Sequence, residues 1–348
     1  MTITRSRQQL LYLPGENVRE ICKGIDSVAL IRDVLYQHGS GNTILPDEGY
    51  LLWRTAQRET VRSLSMPAYV GGTFNAAGTK IINSNPRNFA RGLPRASGLT
   101  VLFDPSTGEV ISIMEGAHIS AMRTASITFL SVALLTGPPI RDMAVVGAGV
   151  IGATHIELGV KKLPSLERVI LFDINQSRAD ELARELQVSV ERTIRIEVVD
   201  SALKAIRGAD VIVPATTVTD GYIPYDWLKP GAIVVNVSLD DLLPDAILKA
   251  DLLFVDDWNL VRADSRRLLG RMYREGLVVG PKEHPQAGGV RRIDGELSDL
   301  VLARHPGRNS IEDIIVVNPF GLGIEDVAFA ARVFEIAKAQ GIGTYLPP

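Results

Sequence analysis

Short apolar runs alternate with amphipathic stretches in the middle of the chain, from about Arg141 to Asp257. Buried strands are predicted at Met143–Val146, Val169–Phe172, Val211–Val213, Ala232–Asn236 and Leu252–Val255. Helices are predicted between them, for example at Gln176–Leu186 and Ser201–Ile206. Continuous apolar strands that alternate with helices are typical of parallel βαβ units.

The two flanks of this segment have a different pattern. Residues 1 to about 125 mix short strand-like runs with polar loops, and Asp104–Gly108 is a turn sequence that predicts a hairpin between Leu99–Phe103 and Val110–Met114. After Ser310 the pattern predicts one more strand and a final helix. They are expected at Ile314–Val317 and over residues 324–340.

Composition excludes several classes of protein. The 348 residues are 46% hydrophobic and 22% charged, with 37 Lys+Arg against 40 Asp+Glu and a net charge of −3. That balance excludes a disordered chain, and the slight acidic excess argues against nucleic-acid binding through a broad basic field. Cys22 is the single cysteine, which excludes an intrachain disulfide and fits a reducing cytoplasm.

Neither a targeting segment nor a membrane span is expected. Met1–Gly15 contains two arginines and no apolar run of signal-peptide length. The most apolar stretch, Ala144–Val160, contains His155 and Glu157, and no stretch reaches the ~18 apolar residues of a membrane span. The five histidines show no metal-ligand spacing, so no metal site is predicted.

A glycine-rich turn carries the sharpest local signal. Gly147, Gly149 and Gly152 form a G-x-G-x-x-G between a predicted strand and a predicted helix, with Val150 and Ile151 inside the motif. Such a turn lets a dinucleotide pyrophosphate approach the backbone at a helix N-terminus. Asp173 ends the next strand, where a carboxylate binds ribose hydroxyls and repels a 2′-phosphate, so NAD is favoured over NADP. Arg178, close by, weakens that preference.

The sequence therefore predicts an α/β protein of about two domains. A Rossmann-type doubly wound parallel sheet, residues 126–317, is expected to bind NAD. It is inserted in a discontinuous α+β domain built from residues 1–125 and 318–348.

Two cations stand in apolar surroundings. Arg123 lies in a predicted helix of small and apolar residues, Ile119–Phe129, with no carboxylate three or four positions away. A ligand anion is one natural partner for it, and a distant carboxylate or solvent is the other. Lys80 leads into the apolar pair Ile81–Ile82, and from these residues alone a solvated strand end is the better explanation.

Two acidic pairs are further candidates. Asp240 and Asp241 follow a predicted strand, where open α/β sheets bind ligands, so one of them is a candidate general base and a helix cap is the alternative. Glu325 and Asp326 open the last helix, where the helix dipole alone is sufficient reason for acidic residues.

These segments together resemble the ornithine cyclodeaminase/μ-crystallin family across nearly the whole chain. The matching stretches are Gly78–Lys80, Arg95–Gly98, Glu115–Ala125, the Gly147 turn, Thr217–Asp220, Asn236–Asp241 and Gly321–Asp326. The resemblance implies that the discontinuous domain, residues 1–125 and 318–348, binds substrate and forms a homodimer. It also implies NAD as cofactor and a small amino-acid substrate.

The resemblance also implies roles for individual residues. Asp241 would be the catalytic acid/base, with Lys80 beside it in catalysis. Carboxylates of the substrate would be bound by Arg54, Lys80, Arg95 and Arg123. Outside the glycine turn and Asp173, the cofactor would be contacted by Ser97, Arg123, Thr217 and Ser238.

Within the family, the closest resemblance is to the N-(2-amino-2-carboxyethyl)-L-glutamate dehydrogenases of 2,3-diaminopropionate biosynthesis. The supporting stretches are Met66–Gly72, Arg95–Gly98, Thr217–Asp220, Tyr222–Leu228, Ala250–Asp251, Val255–Trp258, Asn318–Pro319 and Ile342–Thr344. Cyclodeaminases carry Gly-Gly before the acid/base and Pro-Gly-Lys after it, whereas this chain has Leu239-Asp240 and Leu242–Asp245.

The implied reaction removes a hydride from the glutamyl Cα, and Asp241 activates the water that adds to the resulting imine. The products are 2-oxoglutarate and L-2,3-diaminopropionate, a precursor for a siderophore or a peptide antibiotic. Three alternatives stay open: an ornithine or lysine cyclodeaminase that releases ammonia, an imine or ketimine reductase or amino-acid dehydrogenase, and a cofactor-bound binding protein of the μ-crystallin type. Retention of Lys80 and Asp241 argues against the last, because binding needs no acid/base.

Overall fold

The computed structural model describes residues 9–135, 137–190, 192–285 and 289–347. The first eight residues, which belong to the segment where no signal peptide is expected, lie outside the described residues. The strands are β1 Leu10–Leu13, β2 Thr43–Ile44, β3 Gly49–Arg54, β4 Thr60–Val70, β5 Ala76–Ser84, β6 Ala96–Phe103, β7 Val110–Glu115, β8 Asp142–Val146, β9 Arg168–Phe172, β10 Arg195–Val198, β11 Val211–Pro214, β12 Ile233–Val235, β13 Leu252–Val255, β14 Val278–Val279, β15 Arg291–Arg292, β16 Gly295–Glu296, β17 Ile315–Val317 and β18 Thr344–Leu346.

The helices are α1 Gly15–Lys23, α2 Ser27–Gly39, α3 Ala117–Leu134, α4 Val150–Lys162, α5 Gln176–Ser189, α6 Ala202–Ile206, α7 Pro244–Lys249, α8 Trp258–Ala263, α9 Leu268–Arg274, α10 Leu297–Val301 and α11 Gly323–Gln340. None of the helices in the described ranges combines the length and the apolar character needed to cross a bilayer.

The chain divides into two compact units. Unit 1 contains Met1–Arg123 and Leu322–Pro348, and unit 2 contains Thr124–Gly321. The first crossing lies inside α3, and the second lies just before α11. These crossings are close to the boundaries expected from the sequence, at residues 125 and 317.

Unit 2 holds a parallel sheet in the order β10-β9-β8-β11-β12-β17-β13-β16. Its central strands are Val- and Ile-rich because both faces are covered, and residues of β11 and β12 such as Ile212 and Val234 are fully buried. The strand order reverses between β8 and β11, which is where doubly wound sheets open a crevice for ligands. The predicted doubly wound fold is therefore confirmed, with each strand that the apolar runs predicted.

The β10 strand of this sheet was not apparent from the sequence. Arg195 and Glu197 interrupt its apolar pattern. Within the described ranges, β10 lies at the edge of the sheet, with β9 as its neighbour. Edge strands tolerate charged residues that central strands do not.

Unit 1 is built on a mostly antiparallel sheet, in the order β18-β1-β7-β6-β5-β4-β2, with β3 paired to β4. The predicted hairpin is present as β6 and β7. Helix α11 packs on β4 and β5, and Val327 lies against Gly78, where a Cβ atom would approach Val101 O to 2.5 Å. The sheet thus needs glycine at that position to accept its neighbouring strand.

Candidate functional site

The turn after β8 requires its glycines for steric reasons. Gly147 has a φ of +113°, and a Cβ atom there would lie 2.6 Å from Ala215 O. A Cβ atom on Gly152 would lie 2.1 Å from Gly147 O. The first glycine therefore makes the tight turn beside the end of β11, and the third lets α4 pack closely on it.

The N-terminus of α4 is open beside Gly149. Among the described residues other than its chain neighbours, Arg178 alone comes within 4 Å of a Cβ atom placed on Gly149, with Nη2 at 4.0 Å. Val150 is 69% exposed. Backbone N–H groups and the positive end of the helix dipole favour an anion at such a place. The turn therefore has the room and the polarity that a dinucleotide phosphate needs, while Ile151 is half-buried one residue further along α4.

Asp173 and Arg178 border this turn. The Asp173 carboxylate accepts the Ala148 N–H at 2.7 Å and the Asn175 N–H at 2.8 Å. Arg178 Nη2 donates to Ala148 O at 3.2 Å. The predicted ribose-binding carboxylate thus stands directly at the glycine turn, and the arginine that weakened the preference for NAD is attached to the same residue of the turn.

Asp241 lies at the end of the neighbouring strands with its carboxylate held by three hydroxyl groups. Thr216 Oγ1 donates to Asp241 Oδ1 at 2.6 Å, Tyr222 Oη donates to the same oxygen at 3.0 Å, and Ser238 Oγ donates to Oδ2. Burial raises the pKa of Asp241 above its usual range, and the three hydrogen bonds act in the opposite direction. A carboxyl group with a raised pKa in a fixed orientation suits proton transfer.

Asp240 faces a different element. Its carboxylate accepts the Leu268 N–H at 2.7 Å at the start of α9, and it pairs with Arg271 at 2.9 Å. Asp240 therefore fixes the start of α9 from a distant loop and is not itself the N-cap residue of a helix. Asp241 is the member of the pair left for chemistry.

Lys80 is buried in unit 1 and is not a solvated strand end, so that expectation is wrong. The side chain is 1% exposed, and Nζ donates to Asp326 Oδ2 at 2.7 Å and to Ser120 Oγ at 3.4 Å. Burial lowers the pKa of Lys80, and the Asp326 carboxylate raises it. The ammonium group is thus held in one place by the first turn of α11.

Arg123 is paired inside the same unit. Its Nη1 lies 3.1 Å from Glu325 Oε2, and its Nε lies 3.5 Å from Asp326 Oδ1. Of the partners that the sequence left open, the distant carboxylates are the ones present. Glu325 and Asp326 are fully buried, so neutralisation of Lys80 and Arg123 explains them better than the helix dipole does.

A sequence profile of the ornithine cyclodeaminase/mu-crystallin family matches residues 48–341 of the chain. The chain belongs to this family. The N-((2S)-2-amino-2-carboxyethyl)-L-glutamate dehydrogenase of Staphylococcus aureus is 29% identical over 344 residues, which cover 97% of this chain and 98% of that protein. The resemblance inferred from the sequence is confirmed.

Solved structures share the fold over the same length. The crystal structure of CmnK is 35% identical, with a TM-score of 0.88 and coverage of 97% of this chain and 98% of that chain. The Δ1-pyrroline-2-carboxylate reductase of Thermococcus litoralis, solved in complex with NADH and L-proline, is 24% identical with a TM-score of 0.83. The match covers 97% of this chain and 100% of the reductase chain.

Other residues that the family resemblance indicated lie apart from Lys80. Ser97 on β6 is paired with Asn83 on β5, and directly paired residues share a face. Asn83 and Lys80 are three positions apart on β5, so their side chains point to opposite faces. Ser97 therefore lies on the opposite face of the sheet from Lys80. Arg54 ends β3 and is exposed. Arg95 precedes β6 and is half-buried beside Ser84. The structure therefore joins Lys80 and Arg123, and does not bring Ser97 to them.

The sequence assigned no functional role to Thr216 or to Tyr222, although Tyr222 begins one of the stretches that match the family. Thr217 is exposed, whereas Thr216, one residue earlier, donates to Asp241. The signal was the position of Thr216 two residues after β11, at the edge where the strands end. Ser238 was proposed for the cofactor, and the structure adds its hydrogen bond to Asp241.

Proposed function

We propose that the protein oxidatively cleaves N-(2-amino-2-carboxyethyl)-L-glutamate with NAD. The substrate and water give 2-oxoglutarate and L-2,3-diaminopropionate, while NAD⁺ becomes NADH and a proton is released. The observation that carries the proposal is the full-length similarity to the Staphylococcus aureus dehydrogenase. The chain is an enzyme of the oxidoreductase type found among its relatives, and its cofactor is NAD.

The glycine turn and Asp173 are the residues that would hold the dinucleotide, with further contacts proposed for Thr217 and Ser238. When bound, NAD accepts the hydride that the oxidation releases. The carboxylate of Asp173 stands where a 2′-phosphate would be repelled, which favours NAD over NADP.

Asp241 is proposed to move the proton of the attacking water. Its hydrogen bonds to Thr216, Tyr222 and Ser238 fix the carboxylate, so it need not reorganise when it takes up the proton. Burial raises the pKa of Asp241, which helps the carboxyl group hold that proton until the carbon–nitrogen bond of the hydrated intermediate breaks and the proton is returned.

Lys80 and Arg123 are proposed to bind the carboxylate next to the reacting carbon. An ammonium group has three donors, and Lys80 uses two of them on Asp326 and Ser120. The third can reach a substrate oxygen. Arg123 is placed beside the same carboxylate, Asp326, so the two cations act as one site.

A homodimer formed through unit 1 is also part of the proposal. The side chains of Leu51, Trp53, Ile81 and Leu99 lie on one face of the antiparallel sheet and are 36–61% exposed. A contiguous exposed apolar face of this kind marks an interaction surface. Light scattering measures the mass of the protein in solution and tests this proposal. The wild type is expected to have the mass of a dimer and Trp53→Glu that of a monomer. The same mass for both proteins would contradict an interface at this face.

The substrate is tested by comparing two compounds in parallel. Purified protein with NAD⁺ receives either N-(2-amino-2-carboxyethyl)-L-glutamate or L-ornithine, and both NADH absorbance and ammonia are followed. NADH with the first compound alone supports the proposal. Ammonia from ornithine without net NADH contradicts it and indicates a cyclodeaminase. In the proposed reaction, the diaminopropionate is made in the cytoplasm and supplies a siderophore or a peptide natural product.

A further inference from the structure

A substrate with three carboxylates requires more positive charge than the Lys80 site supplies. Two cations, Lys80 and Arg123, are matched there by two buried carboxylates, Glu325 and Asp326. The net charge of that cluster is therefore zero. If the proposed function holds, another group of cations in the protein must bind a further carboxylate.

Two arginines meet around Ser84 on the same sheet. Arg62 on β4 is directly opposite Ser84 on β5, so the two side chains share one face. Arg95 reaches the same serine, with Nη1 3.3 Å from Ser84 Oγ. Ser84 is 6% exposed, and both arginines are half-buried.

The two guanidinium groups are close enough to repel each other. The pKa of Arg95 is lowered by burial first and by the charge of Arg62 second. Within the part of the chain that the structure describes, neither arginine forms an ion pair with a carboxylate. Two half-buried like charges, one hydrogen-bonded to the Ser84 hydroxyl and the other directly across the strand pair from it, favour an anion at this place.

This pair lies in line with Lys80. Lys80 and Ser84 are four residues apart on β5 and therefore point to the same face, about 13 Å apart along the strand. A substrate with several carboxylates on an extended chain has a length of the same order as this separation. One extended amino-acid conjugate can therefore place one carboxylate at Lys80 and a second one at the two arginines.

We propose that Arg62, Arg95 and Ser84 form a carboxylate clamp that selects the substrate. It binds a carboxylate that is remote from the reacting carbon. The inference rests on the proposed function and adds Arg62 to the residues that bind substrate. The same pair repels the side-chain ammonium group of ornithine, so the clamp favours a polycarboxylate over a diamino acid.

Steady-state kinetics of Arg62→Gln and Arg95→Gln test the clamp. We expect KM for N-(2-amino-2-carboxyethyl)-L-glutamate to rise about ten- to hundredfold, with kcat within about threefold, because a charge-assisted contact far from the reaction is lost. Arg32→Gln removes an exposed arginine on α2 and is the control, with unchanged KM. An unchanged KM in both clamp variants overturns the inference.

Two substrate analogues locate the carboxylate. In one the glutamate side-chain carboxylate is an amide, and in the other the diaminopropionate carboxylate is an amide. The analogue that has lost the clamped group should bind the wild type and Arg62→Gln equally well. If Arg62→Gln weakens both analogues as strongly as the parent compound, no carboxylate is clamped and the inference fails.

Ligand binding separates this inference from the proposed function. Calorimetry with propane-1,2,3-tricarboxylate uses no turnover, so it applies even if the wild type forms no NADH. Binding to the wild type and to Arg32→Gln, with at least tenfold weaker binding to Arg62→Gln, supports the clamp whatever the reaction is. Equal binding by all three proteins, or binding by none of them, overturns it.

Discussion

Lys80 Nζ lies 2.7 Å from Asp326 Oδ2, although 246 positions separate the two residues in the sequence. Both side chains are buried, at 1% and 0% exposure. The pair joins the central strand β5 to the first turn of α11 within unit 1. It therefore fixes the ammonium group that the family resemblance places at the substrate, and it balances the charge of that group.

Removal of one partner should destabilise unit 1. Asp326→Asn leaves a buried ammonium group without its counter-charge, which costs about 3–5 kcal/mol in the free energy of unfolding. Urea denaturation measures that free energy. The exposed pair of Lys23 and Glu20 provides a matched control, because Glu20→Gln should change the value by less than about 1 kcal/mol. Equal changes in the free energy of unfolding for the two substitutions would show that the buried pair stabilises unit 1 no more than an exposed pair does.

The two adjacent aspartates should differ in kinetics. Asp241→Asn keeps the size of the side chain but removes the proton acceptor, so kcat should fall by about 10²–10⁴-fold with the fold intact. Asp240→Asn affects the contact with α9 and Arg271, so its effect should appear in stability while kcat stays within severalfold of the wild type. Near-normal turnover by Asp241→Asn would refute its role as acid/base.

Asp173 should determine which dinucleotide is used. Asp173→Asn removes the negative charge at the glycine turn, so kcat/KM with NAD should fall about tenfold while that with NADP rises relative to it. Asp180→Asn on the exposed side of α5 is the control and should leave the ratio unchanged. An unaltered NAD/NADP ratio in Asp173→Asn would place the ribose elsewhere.

His155 should make the stability of unit 2 dependent on pH. Its ring is fully buried between Thr128 Oγ1 and Ile151 O, and burial lowers its pKa from 6.5 to about 4. The folded state favours the neutral ring, so the stabilisation is complete above pH 6.5 and is lost as the pH falls towards 4.

Between pH 7 and pH 5 this loss amounts to about 2 kcal/mol for a single histidine with these pKa values. Urea denaturation at both pH values should show a smaller difference for His155→Gln than for the wild type. The same difference in both proteins would mean that the ring is not the titrating group.

Local sequence patterns predicted much of unit 2. The site in unit 1 was harder to predict because it depends on contacts between residues that are distant in the sequence. The strands of unit 2 are continuous apolar runs, and the glycine turn is a local motif, so both could be read from neighbouring residues. The partners of Lys80 and Arg123 could not, because Glu325 and Asp326 are distant in sequence and meet them only when α11 packs on the sheet.

The choice of Asp241 over Asp240 shows the same limit. The residues alone gave two adjacent carboxylates at the end of a strand, and the resemblance to the family favoured the second. Only the folded chain shows that Asp240 turns to α9 and that Thr216 and Tyr222 converge on Asp241. Such convergence depends on the order of strands in the sheet, which local patterns do not contain.

The most direct test of the account is the stoichiometry of one complete reaction. N-(2-amino-2-carboxyethyl)-L-glutamate is incubated with excess NAD⁺, and NADH, 2-oxoglutarate and L-2,3-diaminopropionate are quantified at completion. Oxidative cleavage predicts the three products in equal amounts, with no free ammonia. Ammonia without NADH, or NADH without 2-oxoglutarate, would contradict it.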